Sequence, residues 1–226
     1  MPVPEVELAA AGPVGDRAFM VVEEDGRLVK TTRTPKLLQV APRWEGAELV
    51  LALPGGQEAR AVPEPGEPSA TRLYDGREVR GRLVDGALAD ALSEHLGRRV
   101  RLLAADGGQT GADDAPVSLM STASLAALGG PDGRRFRMTI TIDGVEPWEE
   151  HGWAGRELEV GEALLRVVDP IPRCVVTTRD PEEGRTDVPI LKQLADLRGP
   201  KDVTFGVWCE VATPGRVRVG DRLATR

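Results

Sequence analysis

In Pro170-Ile171-Pro172-Arg173-Cys174-Val175-Val176-Thr177-Thr178, prolines interrupt the backbone just before an apolar, β-prone run, so a thiol is presented at the entrance of a strand. The thiolate, not the thiol, is the nucleophile and metal ligand, and the adjacent Arg173 guanidinium favours the ionised form by charge attraction. Cys174 is therefore the foremost candidate for chemistry. The alternative is a small buried hydrophobe, the common state of a free cysteine.

Around this stretch the pattern is one of short strands. The run Phe136-Arg137-Met138-Thr139-Ile140-Thr141-Ile142-Asp143-Gly144 alternates, with Met138, Ile140 and Ile142 on one face and Arg137 and Thr139 on the other. Strands are also expected at 158–160, 164–168, 174–178, 203–211 and 217–219, with one helix over 188–197 ended by Gly199. Residues 118–129 read as a short helix capped by Ser121, its N-terminus a candidate anion seat.

Towards the N-terminus, 19–22 and 27–30 flank an Asp25-Gly26 turn, and 38–41 and 48–53 suggest a second hairpin. The proline-rich stretch 63–68 is a surface loop. A helix over 85–97 carries Asp85 as N-cap and Gly97 as stop. His95 lies beside its apolar stripe and is structural, because no paired-imidazole metal motif exists. The polar, glycine-rich segment 105–116 divides the chain into domains 1–105 and 116–226. Many short strands with few helices predict an α+β, predominantly β fold built on barrel-like sheet.

Composition excludes several classes. With 29 Lys plus Arg against 36 Asp plus Glu in 226 residues, the net charge of −7 argues against general nucleic-acid or anionic-membrane binding, so any anion site is local. Lysine occurs only at Lys30, Lys36, Lys192 and Lys201, and the remaining bases are arginines suited to bidentate phosphate capture. Two cysteines make neither a disulfide framework, a four-thiolate zinc site nor an iron–sulfur cluster, and a cytoplasmic location is the simplest expectation. The first residues lack the charge and apolar run of a secretion signal, and no apolar stretch reaches membrane length.

Taken in order, Gly15-Asp16-Arg17, Phe136-Arg137, Arg173-Cys174 with Thr177-Thr178, Phe205-Gly206 and Gly220-Asp221 resemble the MOSC family, named for the C-terminal domain of molybdenum-cofactor sulfurases. The N-terminal half is similar to the β-barrel domain preceding MOSC in the amidoxime-reducing proteins. The resemblance implies a MOSC β-barrel-like domain after a smaller β-barrel domain, and a molybdopterin-type molybdenum cofactor whose metal is bound by Cys174, a soft ligand suited to it. It further implies that Arg137 contacts the pterin or phosphate with Ser121 and Thr122 nearby, and that Arg173 flanks the thiolate. Two positions depart from the family pattern. Thr139 stands where an asparagine is usual and loses an amide donor and acceptor, and the expected N-terminal arginine falls one out of register at Arg33. Relatives also begin with a further strand ending in a Lys-Ser pair, so either the start is truncated or cofactor affinity is reduced.

The activity so implied is reduction of small N-hydroxylated compounds such as amidoximes. Electrons would come from a separate ferredoxin-like or cytochrome-type donor, because the chain carries no flavin or nicotinamide fingerprint. Two other readings are a cofactor carrier without turnover and a sulfur carrier holding a persulfide on Cys174. Glu150 and His151, in Pro147-Trp148-Glu149-Glu150-His151-Gly152-Trp153, are candidates for proton transfer, with a solvated loop anchored by Trp153 as the alternative. Cys209 is expected to pack.

Overall fold

A computed structural model describes residues 3–112 and 114–226, which form two compact units. Strands dominate, the helices are few and short, and the sheet curls into a half-barrel, in agreement with the predominantly β expectation. The units do not follow chain order. Strands β1 (Glu5–Ala9) and β2 (Gly12–Pro13) open the chain, and β1 pairs antiparallel with residues 215–218, from Glu5 opposite Arg218 to Leu8 opposite Gly215. Residues 3–16 therefore belong with 114–178 and 187–226, whereas 17–112 and 179–186 form the other unit.

The second of these units holds β3 (Phe19–Val22), β4 (Ala41–Glu45), β5 (Glu48–Ala52), β6 (Glu58–Ala61), β7 (Pro68–Arg72), β8 (Glu78–Val84), helix α1 (Ala87–Leu96) and β9 (Arg101–Ala105). Its sheets run β3-β9-β8-β7 and β4-β5-β6. The apolar stripe of α1, with Leu88 and Leu92 buried, packs with Leu49, Leu51 and Leu102. Gly97 ends this helix in the left-handed conformation, as expected. The N-cap position belongs to Gly86 rather than Asp85, because Asp85 is bound by both Nε and Nη2 of Arg101 at 2.9 and 2.6 Å. His95 accordingly plays a structural part, its Nε2 meeting the Lys36 carbonyl at 2.9 Å. The second arm of the first hairpin shrinks to a single bridge, Val22 to Leu28, and Leu38 lies in a 3₁₀ turn, Pro35–Gln39, rather than a strand.

The other unit contains β10 (Val117–Ser121), helix α2 (Thr122–Ala127), β11 (Ile140–Ile142), β12 (Glu157–Val160), β13 (Ala163–Pro172), helix α3 (Ile190–Arg198), β14 (Thr204–Thr213), β15 (Gly215–Arg218) and β16 (Leu223–Thr225). Six of its strands form one sheet in the order β11-β10-β14-β13-β12-β16. Residues 118–121 are thus strand and not helix, though Ser121 does cap α2 by accepting from the Ser124 amide. One face of the sheet buries Leu119, Leu165, Val207 and Cys209, while Met120, Phe136, Ile190, Leu194 and Phe205 form a separate cluster.

Phe205 and Val207, two residues apart, should share a face. They do not, because Gly206 between them has φ +66° and the β13–β14 register shifts there. A Cβ at Gly206 would stand 2.5 Å from the Leu119 carbonyl oxygen, so only glycine makes this bulge. The bulge turns Phe205 towards α3.

Candidate functional site

Cys174 lies two residues beyond the end of β13 and is exposed. It does not open a strand. Residues Val175–Thr178 form a 3₁₀ turn, although every one of them is β-branched. Threonine hydroxyls account for the difference: Thr177 Oγ1 donates to the Cys174 carbonyl at 2.9 Å and Thr178 Oγ1 to the Val175 carbonyl at 2.6 Å, local bonds that compete with a ladder. The Thr177 amide also donates to the Cys174 carbonyl, at 3.2 Å. The thiol therefore stands at the outer corner between a strand end and a turn. Cys209 is the opposite case, wholly buried in the sheet core with its thiol pushed up to about 12 by burial.

Arg173 points away from water. Its Nε and Nη2 both donate to the Phe205 carbonyl, at 2.9 and 2.5 Å, and its guanidinium carbon lies 5.5 Å from the Phe136 ring centroid and 6.0 Å from that of Phe205. Phe136 and Phe205 stack with centroids 4.1 Å apart. Burial pulls the guanidinium down to about 10, an effect opposed by attraction to Cys174, so it stays charged at neutral pH. Arg173 is thus a half-buried cation next to the thiol-bearing turn, bonded to the bulge that Gly206 creates.

Arg137 is exposed and left-handed, with φ +53°, directly after a 3₁₀ turn at Gly133–Phe136. The expected strand over 136–144 contracts to β11, which runs parallel to β10. Thr139 faces Ser118: its amide meets the Ser118 hydroxyl at 3.1 Å, and the Ser118 amide donates to Thr139 Oγ1 at 3.2 Å. That hydroxyl fastens β11 to β10. Thr122 is exposed and donates to Asp143 at 3.1 Å. Arg33 is exposed, in a turn of the unit built on residues 17–112.

Ser121 is fully buried, and its hydroxyl serves the protein itself. Its oxygen lies 2.8 Å from Ser124 Oγ and 3.0 Å from Glu150 Oε2, either of which can accept its one proton, so it holds the start of α2 rather than facing a ligand. Helix α2 has only six residues. Glu150 is equally buried, taking the Ser124 hydroxyl at 2.9 Å and the Ser121 amide at 3.3 Å, while Ser124 Oγ accepts from the Trp148 amide at 2.7 Å. The solvated-loop alternative fails for Glu150, whereas Trp153 is in the core as that alternative required. A glutamate in a glycine-containing loop carries no local sign of burial. Its partners lie 26 and 29 residues away.

His151 accepts at Nδ1 from Arg198 Nη2 at 3.1 Å, since arginine only donates, and the neutral ring therefore carries its proton on Nε2. Burial and the Arg198 charge hold His151 below the ordinary imidazole value. Arg198 also bonds Asp202 at 2.6 Å and lies 4.6 Å from the Trp148 ring centroid. Reasoning from sequence missed Arg135 as well. It is 7% exposed, and its two terminal nitrogens meet the two carboxylate oxygens of Asp187 at 2.7 and 2.6 Å. That arginine holds the Asp187 carboxyl below the usual carboxylate range.

Among the described residues no three His, Cys, Asp or Glu side chains converge to hold a bare metal ion. The Cys174 thiol is exposed beside the half-buried Arg173 guanidinium. This is a predominantly β protein. The chain belongs to the MOSC family: residues 106–224 match the MOSC domain and residues 1–99 the MOSC N-terminal beta barrel domain. It is 29% identical over 254 residues to mitochondrial amidoxime reducing component 2 of Rattus norvegicus, covering 93% of this chain and 73% of that protein. The human protein of the same name is 27% identical, with 98% and 77% covered, and mitochondrial amidoxime-reducing component 1 of Mus musculus is 27% identical, with 93% and 72% covered. No helix among the described residues is long and apolar enough to cross a membrane.

Proposed function

We propose that the chain binds a molybdenum cofactor of the molybdopterin type through Cys174 and reduces small N-hydroxylated compounds with electrons from a separate redox protein. The observation that carries this reading is the exposed thiol at the end of β13, in a chain whose other cysteine is buried. The relatives' names, which describe amidoxime-reducing proteins, support the substrate class.

The cofactor, once bound, supplies the two-electron chemistry of removing an oxygen atom: an N-hydroxyl group, two electrons and two protons give the N–H compound and water. Cys174 offers the soft ligand, and Arg173 keeps a positive charge beside it. Arg137, exposed on its left-handed corner, offers a guanidinium to the pterin or its phosphate, and Thr122 offers a hydroxyl at the start of α2. Thr139 supports that corner from behind by tying β11 to β10. Glu150 and His151 keep structural parts, because serine hydroxyls enclose the one and Arg198 binds the other. Electrons come from a ferredoxin-like or cytochrome-type donor, since two separate cysteines of unlike burial hold no cluster of their own.

The test is protein made in a cofactor-competent host, assayed for molybdenum, pterin fluorescence and benzamidoxime reduction with an artificial electron donor. Cys174→Ser should abolish reduction and disturb metal coordination while leaving the fold intact. Full molybdenum loading without turnover in the parent rejects the reductase and leaves a cofactor carrier. Equal activity in parent and variant rejects Cys174 as the ligand.

A further inference from the structure

We infer that the Arg135–Asp187 ion pair is a positioning device that orders the Cys174 turn against the segment bearing Arg137, without itself touching a ligand. The inference rests on the reading above for the roles of Cys174 and Arg137. Its evidence is a closed circuit of contacts. Asp187 is where the chain re-enters this unit after residues 179–186, and its amide donates to the carbonyl of Thr178, the last residue of the turn that Cys174 opens. Its carboxylate is gripped by both Nη atoms of Arg135. Arg135 precedes Phe136, whose ring stacks on Phe205 and whose carbonyl lies 3.4 Å from Arg173 Nη1. Arg173 then leads back to Cys174.

Arg173 fixes the turn at its start, through its side chain and through its amide bonded to the Val203 carbonyl at 2.9 Å. The Asp187 amide and the Arg135 pair tie down its end, beside the Thr178 hydroxyl that bonds back to Val175. Beyond Thr178 the chain departs for the other unit, with Arg179 bridged to Thr186 before Asp187 returns. A forked guanidinium–carboxylate pair constrains both distance and angle, which apolar contact of the same volume does not. The same 3₁₀ turn that bears Arg135 sets the left-handed corner at Arg137, so one ion pair couples the two groups proposed to hold opposite ends of the cofactor.

The experiment uses cofactor-free full-length protein and native-state hydrogen exchange, comparing the parent with Asp187→Asn, Arg135→Lys and the volume-filling double variant Arg135→Met with Asp187→Leu. Arg135→Lys keeps the charge and loses the fork. The amides of Thr177 and Asp187 should exchange roughly tenfold faster in all three, while those of Leu165 and Val207 change by no more than about twofold. Unchanged exchange at Thr177 and Asp187 overturns the inference. An equal rise at all four amides also overturns it, because that is the mark of a pair that merely stabilises the unit. Neither outcome depends on molybdenum, so the inference and the proposed function fail separately.

Discussion

Two sets of arginines, one from each unit, are used in opposite ways. On β4 and β6, Arg43 bridges Glu45 and Glu58 at 2.8 and 2.7 Å and Arg60 bridges Glu58 at 3.0 Å, a charged ladder in water across the strand between them. In the other unit Arg135, Arg173 and Arg198 turn inward, onto a carboxylate, a backbone carbonyl and an indole ring. Exposed pairs contribute little because water and salt screen them, whereas a buried cation must have all of its loss of hydration matched. Arginines that turn inward mark where geometry is held, and here two of the three meet at Phe136 and the turn of Cys174. The difference teaches that charge count alone does not locate a site; burial of charge does.

The largest effect that sharpens this contrast is expected from Arg173→Ala. It strips the donor from the buried Phe205 carbonyl and removes the cation from two ring faces, and should cost about 2–3 kcal/mol of stability, read as a lower urea midpoint. A midpoint equal to the parent's would mean that the inward arginines are as dispensable as the outward ones.

A smaller effect is expected from pH. His151 is held neutral, its value depressed by burial and by Arg198, so the unfolded chain takes up the proton first as pH falls. The stability this residue contributes is complete above about 6.5 and is lost as pH drops from there through the lower folded value, with a slope of at most about 1.4 kcal/mol per pH unit. Glu150 and Asp202 attract the imidazolium and Arg198 and Arg173 repel it, the repulsion and burial winning. His151→Gln should flatten the profile between pH 7 and 5, and an identical slope in both proteins would remove Arg198 from the inward set.

The smallest effect belongs to the ladder. Arg43→Gln should leave the thermal midpoint unchanged within error, and a marked drop would show that the outer arginines carry structure after all.

Much of the fold was legible because it is local. The stripe Leu88, Leu92 and Leu96 with Gly97 behind it defines α1 wherever that helix is placed, and Ser121 caps α2 as its spacing to Ser124 requires. Burial of Cys209 was legible from its apolar neighbours. The Cys174 turn was not, since a run of β-branched residues points to a strand until the threonine hydroxyls are seen to bond the carbonyls three residues back. Nor was the division into units, because β1 pairs with residues more than two hundred positions further along and residues 179–186 cross over.

By itself the chain specified its β-rich class, its helix stops and the thiol at Cys174, all consequences of backbone preference and of chemistry within a few neighbouring residues. Only the folded molecule decided that Ser121 and Glu150 bind each other, that Gly206 turns Phe205 to the other face, and that Arg135 meets Asp187 across 52 positions. Such contacts arise from the low dielectric and close approach that packing creates, and no run of adjacent residues encodes where packing will bring two distant side chains together.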